Sequence, residues 1–247
     1  MSAMPKFKIE LEPTNQVCSK HNEPMLMMFG RPFCKSCSNE ALQNSKFSTA
    51  DFEHMRDQKR FDNAMLPKRH THCTFENYMT QHSGQKYAKQ QFVSFYQDYL
   101  KDLKRNGVIV GRTGTGKTHL ACALARNLLS KKQNIRYITS EDMSNEIAKA
   151  WTDKSMNEST LIAQFVACDL LILDEYGLHD QHETRLQLVH KVLYARYDAC
   201  KPTMLISNFT KDQLKENLGD RLWSRFQQDK LTMIECDWED MRSGVVV

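Results

Sequence analysis

The sequence predicts an α/β fold, a parallel sheet flanked by helices, with a small metal-binding segment ahead of it. Three observations predict this. Gly111-Arg112-Thr113-Gly114-Thr115-Gly116-Lys117-Thr118 has the spacing G-x-x-x-x-G-K-[ST]. Leu170-Leu171-Ile172-Leu173-Asp174-Glu175 is a continuous apolar run that ends in two carboxylates. Cys18-x2-His21 is followed by Cys34-x2-Cys37, two close pairs of soft or borderline ligands.

The glycine segment sits where a phosphate loop must sit. Val108-Ile109-Val110 before it is short, apolar and β-branched, which predicts a strand. Leu120, Ala121, Leu124, Ala125 and Leu128 after it recur at helical spacing. Strand, glycine loop and helix together let backbone N–H groups close around phosphate oxygens, and the helix N-terminus adds partial positive charge. Lys117 can then reach the β- and γ-phosphates, and the Thr118 hydroxyl can hold Mg²⁺.

The run from Leu170 to Leu173 reads as a strand buried on both faces of a parallel sheet. Ligands bind at the C-terminal ends of such strands. Asp174 is placed to complete the Mg²⁺ shell, directly or through water, and Glu175 to polarise an attacking water. One further strand, Ile135 to Thr139, lies between the two motifs. No N-K-x-D guanine-selectivity motif is present, which favours ATP over GTP.

Thiolate and imidazole at the spacing of Cys18, His21, Cys34 and Cys37 suit tetrahedral Zn²⁺, and a site closed by four protein ligands is structural. Gly30 and Pro32 supply the turn and breaker of a hairpin between the pairs. So short a segment has no core of its own, so the metal supplies most of its folding free energy. Met25 to Phe29 form an apolar strip suited to an adaptable protein-binding face. Cys122, Cys168, Cys200 and Cys236 read as small buried hydrophobes, and Cys73 lies in a loop.

With 247 residues there is room for one α/β domain and a small appendage, and 40% hydrophobic content suffices for a core. The net charge of +4 permits nucleic-acid contact without demanding it. No apolar run approaches the roughly 20 residues of a membrane span, and Met1 to Glu12 has no secretory core. A soluble, cytoplasmic protein is expected. Residues 51–69 read as a linker helix ended by Pro67, so the expected domains are 1–50, 51–69 and 70–247.

The remaining elements follow in order. Gln85 to Leu103 reads as a helix carrying Tyr87, Phe92, Phe95, Tyr96, Tyr99 and Leu103, stopped by Asn106-Gly107. Ser140 caps a helix to about Trp151, and Leu161 to Val166 form a shorter one. Glu183 to Asp198 is helical, with Leu186, Val189, Val192, Leu193 and Tyr197 as its buried stripe. Thr203 to Asn208 forms another buried strand, with Asn208 at its C-terminal end. Thr210-x-x-Gln213 is a capping box, Gly219 to Phe226 a short basic helix and Leu231 to Glu235 a last strand.

Cys73-Thr74-Phe75-Glu76-Asn77-Tyr78, Gly111 to Leu120, Leu170 to Gly177, and Gly219 to Phe226 with Trp238 and Arg242 together resemble the AAA+ helicase loaders of the DnaC/DnaI type, over about residues 70 to 243. The resemblance implies a P-loop AAA+ domain without a separate helical lid. It implies a switch-like ATPase with slow hydrolysis, a hexameric replicative helicase and single-stranded DNA as partners, and self-association through the ATP site. It makes Lys117 and Thr118 the loop lysine and Mg²⁺ ligand, Asp174 and Glu175 the acidic pair, and Asn208 the polar sensor. It makes Arg225 a finger reaching a neighbour's γ-phosphate, with Arg221 the weaker alternative, and Arg242 the second sensor. In such proteins the N-terminal domain grips the helicase. Many loaders of the DnaC branch lack an N-terminal Cys/His cluster, so this one is closer to DnaI-like and phage types. Two other functions share some of these features: an IstB-like helper ATPase of a transposase, and a zinc-dependent DNA-binding regulator with a vestigial ATP site. The intact Lys117, Asp174, Glu175 and Arg225 argue against the regulator.

Overall fold

A parallel sheet needs apolar residues on both faces, and strands here alternate between two cores. The computed structural model describes residues 12–28, 30–44, 49–178, 183–228 and 230–241. Its main sheet contains β4 (Gly107–Gly111), β5 (Ile135–Thr139), β6 (Leu170–Tyr176), β7 (Thr203–Ser207) and β8 (Thr232–Cys236). All pairings are parallel, in the order β5-β6-β7-β4-β8. Ile109, Ile172, Ile206 and Ile234 point to one core, with α3 (Ser83–Leu100) and α4 (Lys117–Ser130). Val108, Val110, Leu171, Leu173 and Leu205 point to the other. That core is closed by α5 (Ser140–Thr152), α6 (Glu158–Ala167), α7 (Glu183–Asp198) and α8 (Lys211–Gln227). The expected capping box forms, with Thr210 accepting from the Gln213 N–H and Gln213 from the Thr210 N–H. Gly219, at φ 73° and ψ 156°, kinks α8 between the two helices that the sequence predicts there.

The chain divides into two compact units, residues 1–55 and 56–247. In the first, β1 (Glu12–Val17), β2 (Pro24–Met28) and β3 (Arg31–Phe33) form an antiparallel sheet in that order, followed by α1 (Lys35–Asn44). Among its described residues the buried ones are Cys18 and Cys34. Apolar burial among the described residues of this unit is therefore slight.

Helix α2 (Thr49–Asn63) runs across the division, which falls before Pro67. Ala64 is fully buried, Phe61 and Leu66 pack on the core of the larger unit, and the Ala64 carbonyl accepts from the Tyr137 N–H at 2.8 Å. This contact covers part of the edge of β5, which would otherwise expose unpaired backbone. Four side-chain expectations are corrected. Cys200 is exposed, because it lies beyond the end of α7. Tyr87 faces solvent on α3, whose buried face is Gln85, Ala88, Phe92, Phe95 and Tyr99, and Leu103 lies exposed beyond its end. The inner face of α7 carries Arg196 rather than Tyr197.

Arg196 is fully buried and lacks a carboxylate partner among its hydrogen bonds. Its guanidinium donates to Phe165 O at 2.6 Å, Cys168 O at 3.2 Å, Pro202 O at 2.5 Å and Thr203 Oγ1 at 3.0 Å. The fork ties the C-terminal end of α6 to the entry of β7, where a cation also meets the negative end of the helix dipole. Replacing it strands buried carbonyls, each costing about 1–3 kcal/mol. Arg196→Met is expected to lower unfolding free energy by about 3 kcal/mol, and Arg196→Lys, with no planar fork, by somewhat less. Urea unfolding followed by circular dichroism measures both; a Met variant as stable as the parent would contradict the assignment.

Candidate functional site

The glycine loop bridges the end of β4 and the start of α4, with left-handed Gly116 (φ 85°) as the N-cap of α4. Gly111 (φ 130°) lies so close to β8 that a Cβ there would stand 2.1 Å from Cys236 O. The loop is held from outside by elements distant in sequence. The Arg112 N–H donates to Cys236 O at 3.2 Å and the Met241 N–H to Gly114 O at 3.2 Å. The Thr115 carbonyl accepts from both Tyr78 Oη at 3.2 Å and Trp238 Nε1 at 3.1 Å. Two residues that carried the family resemblance therefore act on a single loop carbonyl. His119, one turn into α4, places Nε2 3.0 Å from both Thr74 O and Asn77 Oδ1, and burial lowers its pKa.

Side chains from four elements converge at this end of the sheet. Lys117 is buried, and its ammonium donates to Gly111 O at 2.7 Å, Arg112 O at 2.8 Å and Asn208 Oδ1 at 2.8 Å. Asn208, which follows β7, is thus joined to the loop. Thr118 Oγ1 donates to Asp174 Oδ2 at 2.9 Å. Glu175, in the left-handed region at φ 57°, is exposed beside it, and its N–H donates to Asp174 Oδ1 at 2.7 Å. A cavity of about 750 Å³ opens here, lined by Thr118, Tyr137, Asp174 and Glu175 and also by Arg69, Arg136 and Lys149.

Tyr137 of β5 was not marked by any sequence motif, yet its hydroxyl donates to Asp174 Oδ2 at 2.6 Å. Burial and the neighbouring Asp174 charge raise its pKa, keeping it a donor. Arg112 and Thr113 belong to the loop itself; the Arg112 carbonyl accepts from Thr115 Oγ1 at 2.9 Å as well as from Lys117. Arg225 engages α7 instead of this cluster. Its guanidinium carbon lies 4.8 Å from the Tyr194 ring centroid and 4.7 Å from that of Tyr197, and Nη1 lies 3.7 Å from Asp198 Oδ1. Arg221 reaches the Tyr194 ring at 6.0 Å. Arg242 lies outside the described residues.

The first unit brings Cys18, His21, Cys34 and Cys37 together with their ligand atoms within 4.8 Å of one another. His21 Nδ1 lies 3.8 Å from Cys18 Sγ, 3.5 Å from Cys34 Sγ and 3.3 Å from Cys37 Sγ, and Cys18 Sγ lies 3.6 Å from Cys37 Sγ. Tetrahedral Zn²⁺ with its usual bond lengths requires separations of about 3.6–3.8 Å, so the donor set fits the ion. His21 Nε2 faces Glu40 Oε1 at 3.0 Å, and Lys20 holds the other Glu40 oxygen. A carboxylate behind a histidine fixes which ring nitrogen is presented, here Nδ1. Backbone N–H donors from His21 and Lys20 draw the Cys18 thiol down to about 6. Glu40 was invisible to ligand spacing; its place one turn after Cys37 on α1 is the signal that finds it.

Over 192 residues the chain is 27% identical to the uncharacterized protein YdaV of Escherichia coli (strain K12), covering 78% of this chain and 77% of that protein. Over 191 residues it is 24% identical to the replicative helicase loader DnaC of the same strain, covering 77% of this chain and 78% of DnaC. A crystal structure of the DnaC helicase loader shares the fold, with a TM-score of 0.58 and 21% identity over 68% of this chain and 99% of that one. No helix among the described residues is long and apolar enough to cross a membrane. Residues 47–236 match the family of IstB-like ATP binding proteins, and the chain belongs to that family.

Proposed function

We propose that this chain is a cytoplasmic, ATP-dependent loader that places a hexameric replicative helicase on single-stranded DNA. The observation that carries the reading is the convergence of Lys117, Thr118, Asp174 and Asn208 at one end of the sheet, in a chain with a helicase loader among its relatives. Backbone from Gly111 to Thr118, with Arg112, Thr113, Gly114, Thr115 and Gly116, surrounds the phosphates, and Lys117 holds the β- and γ-groups. Thr118 and Asp174 are the residues that would hold Mg²⁺, which neutralises phosphate charge. Glu175 orients and deprotonates the attacking water, and Asn208 reads the γ-phosphate through the contact it shares with Lys117. Arg225 acts on a neighbouring subunit, which makes self-association through the ATP site part of the reading. Arg242 acts in cis.

Cys18, His21, Cys34 and Cys37 would hold structural Zn²⁺ in a domain spanning residues 1–50. Residues 51–69 link it to the ATPase domain, 70–247, and the zinc domain docks on the helicase. Single-stranded DNA binding is weak and salt-sensitive, because lysines and arginines are scattered. The family description favours one second reading, an IstB-like helper of a transposase. A pull-down with the replicative helicase, with and without ATP, separates the two: ATP-responsive capture supports the loader, and no capture in either state overturns it.

Lys117→Ala removes the ammonium that bridges loop and sensor. ATP binding is expected to weaken by one to two orders of magnitude, roughly 1.4–2.8 kcal/mol, in equilibrium titration.

Glu175→Gln is expected to keep ATP bound while stopping turnover. Arg225→Ala should leave ATP binding by single subunits intact and remove hydrolysis stimulated by assembly or DNA; normal stimulated hydrolysis in that variant rules out the finger role.

Cys34→Ser leaves three ligands and an open position. It is expected to abolish zinc binding, unfold residues 1–45 and remove helicase capture while ATP binding persists. Zinc content, ATP titration and pull-down on one preparation check this, and loss of ATP binding along with zinc would refute independent domains.

A further inference from the structure

We infer that Tyr137 is a positioning residue of the nucleotide site, whose hydroxyl pins the Asp174 carboxylate so that one acceptor position on Oδ1 is left for the metal or its water. The inference rests on the ATP and Mg²⁺ reading above. A carboxylate offers about four acceptor positions. Tyr137 Oη at 2.6 Å and Thr118 Oγ1 at 2.9 Å take the two on Oδ2, and the Glu175 N–H at 2.7 Å takes one on Oδ1. Thr118 and Glu175 belong to the recognised motifs; Tyr137 comes from the neighbouring strand.

The strand geometry makes this contact rigid. Tyr137 pairs with Ile172 in the β5–β6 register, so its backbone is set two residues back along the strand from Asp174. Its N–H is tied to the Ala64 carbonyl at 2.8 Å from the other side. The side chain is buried yet reaches the cavity that Thr118, Asp174 and Glu175 line. Without the hydroxyl, an acceptor position on Oδ2 opens and the carboxylate is held by Thr118 and the Glu175 N–H alone. The ring alone accounts for the apolar packing of Tyr137, so Tyr137→Phe separates packing from positioning.

The experiment titrates a fluorescent ATP analogue into wild type and Tyr137→Phe, first in EDTA and then across Mg²⁺ concentrations, with Thr118→Ala as the reference for a damaged metal site. The two proteins should bind alike in EDTA. The Mg²⁺ concentration giving half of the metal-dependent tightening should rise roughly tenfold in Tyr137→Phe, the usual scale for losing an outer partner of a metal ligand. Coincident Mg²⁺ curves overturn the inference, as does weakened binding already in EDTA, which would make the hydroxyl a packing element. If wild type itself shows no Mg²⁺-dependent ATP binding, the functional reading fails first.

Discussion

A loop that offers N–H groups to an anion must satisfy its own carbonyls elsewhere, and this requirement organises the larger unit. Gly111 O and Arg112 O accept from Lys117, Gly114 O from the Met241 N–H, Thr115 O from Tyr78 and Trp238, and Gly116 O from the Leu120 N–H. The donors come from the segment before α3, from α4 and from the segment after β8. Residues far apart in the chain thus fix the loop, and Tyr78, Lys117 and Trp238 among them carried the family resemblance. Substituting Tyr78 or Trp238 removes one of the two donors to the Thr115 carbonyl on the loop.

The smaller unit solves its stability problem differently. Its described buried residues are two cysteines, so little apolar burial opposes the conformational entropy of some forty residues. The four ligand atoms already lie within 4.8 Å of one another, and Glu40 orders the histidine among them. Met25 and Leu26 on β2 are half-buried and Met27 is exposed. Part of the apolar strip, Met25 to Met27, is therefore accessible within its own unit, and Phe29 lies outside the described residues.

What was legible in the sequence is what short-range pattern encodes. The glycine loop, the acidic strand end, the capping box and the paired Cys/His ligands each fall within a few residues, and each takes the expected local form. The order of the sheet needed more, because period-two alternation gives the faces of a strand and not its neighbours. The same limit hid Tyr137, Glu40 and the Tyr194–Arg225–Tyr197 stack, which are pairings between separate elements. Arg196 was hidden for another reason: a cation on the inner face of a helix contradicts the apolar stripe, and only the bare carbonyls of α6 and Pro202 explain it. Pro67 suggested a boundary because proline ends helices, whereas burial of Ala64 places the preceding turn with the larger unit.

Lys117 and Asn208 join the glycine loop to the end of β7. The ammonium now divides its donors between two loop carbonyls and the Asn208 amide oxygen. A γ-phosphate placed in the loop competes for the same donors, and a charge-assisted bond to phosphate is stronger than one to a neutral amide. Each shift of Lys117 toward phosphate therefore loosens its hold on Asn208, at the end of β7. Phe209 and Thr210 follow directly, and Thr210 caps α8, which carries Arg225. Lys117 and Arg225 are thus connected through one asparagine and one capped helix kinked at Gly219.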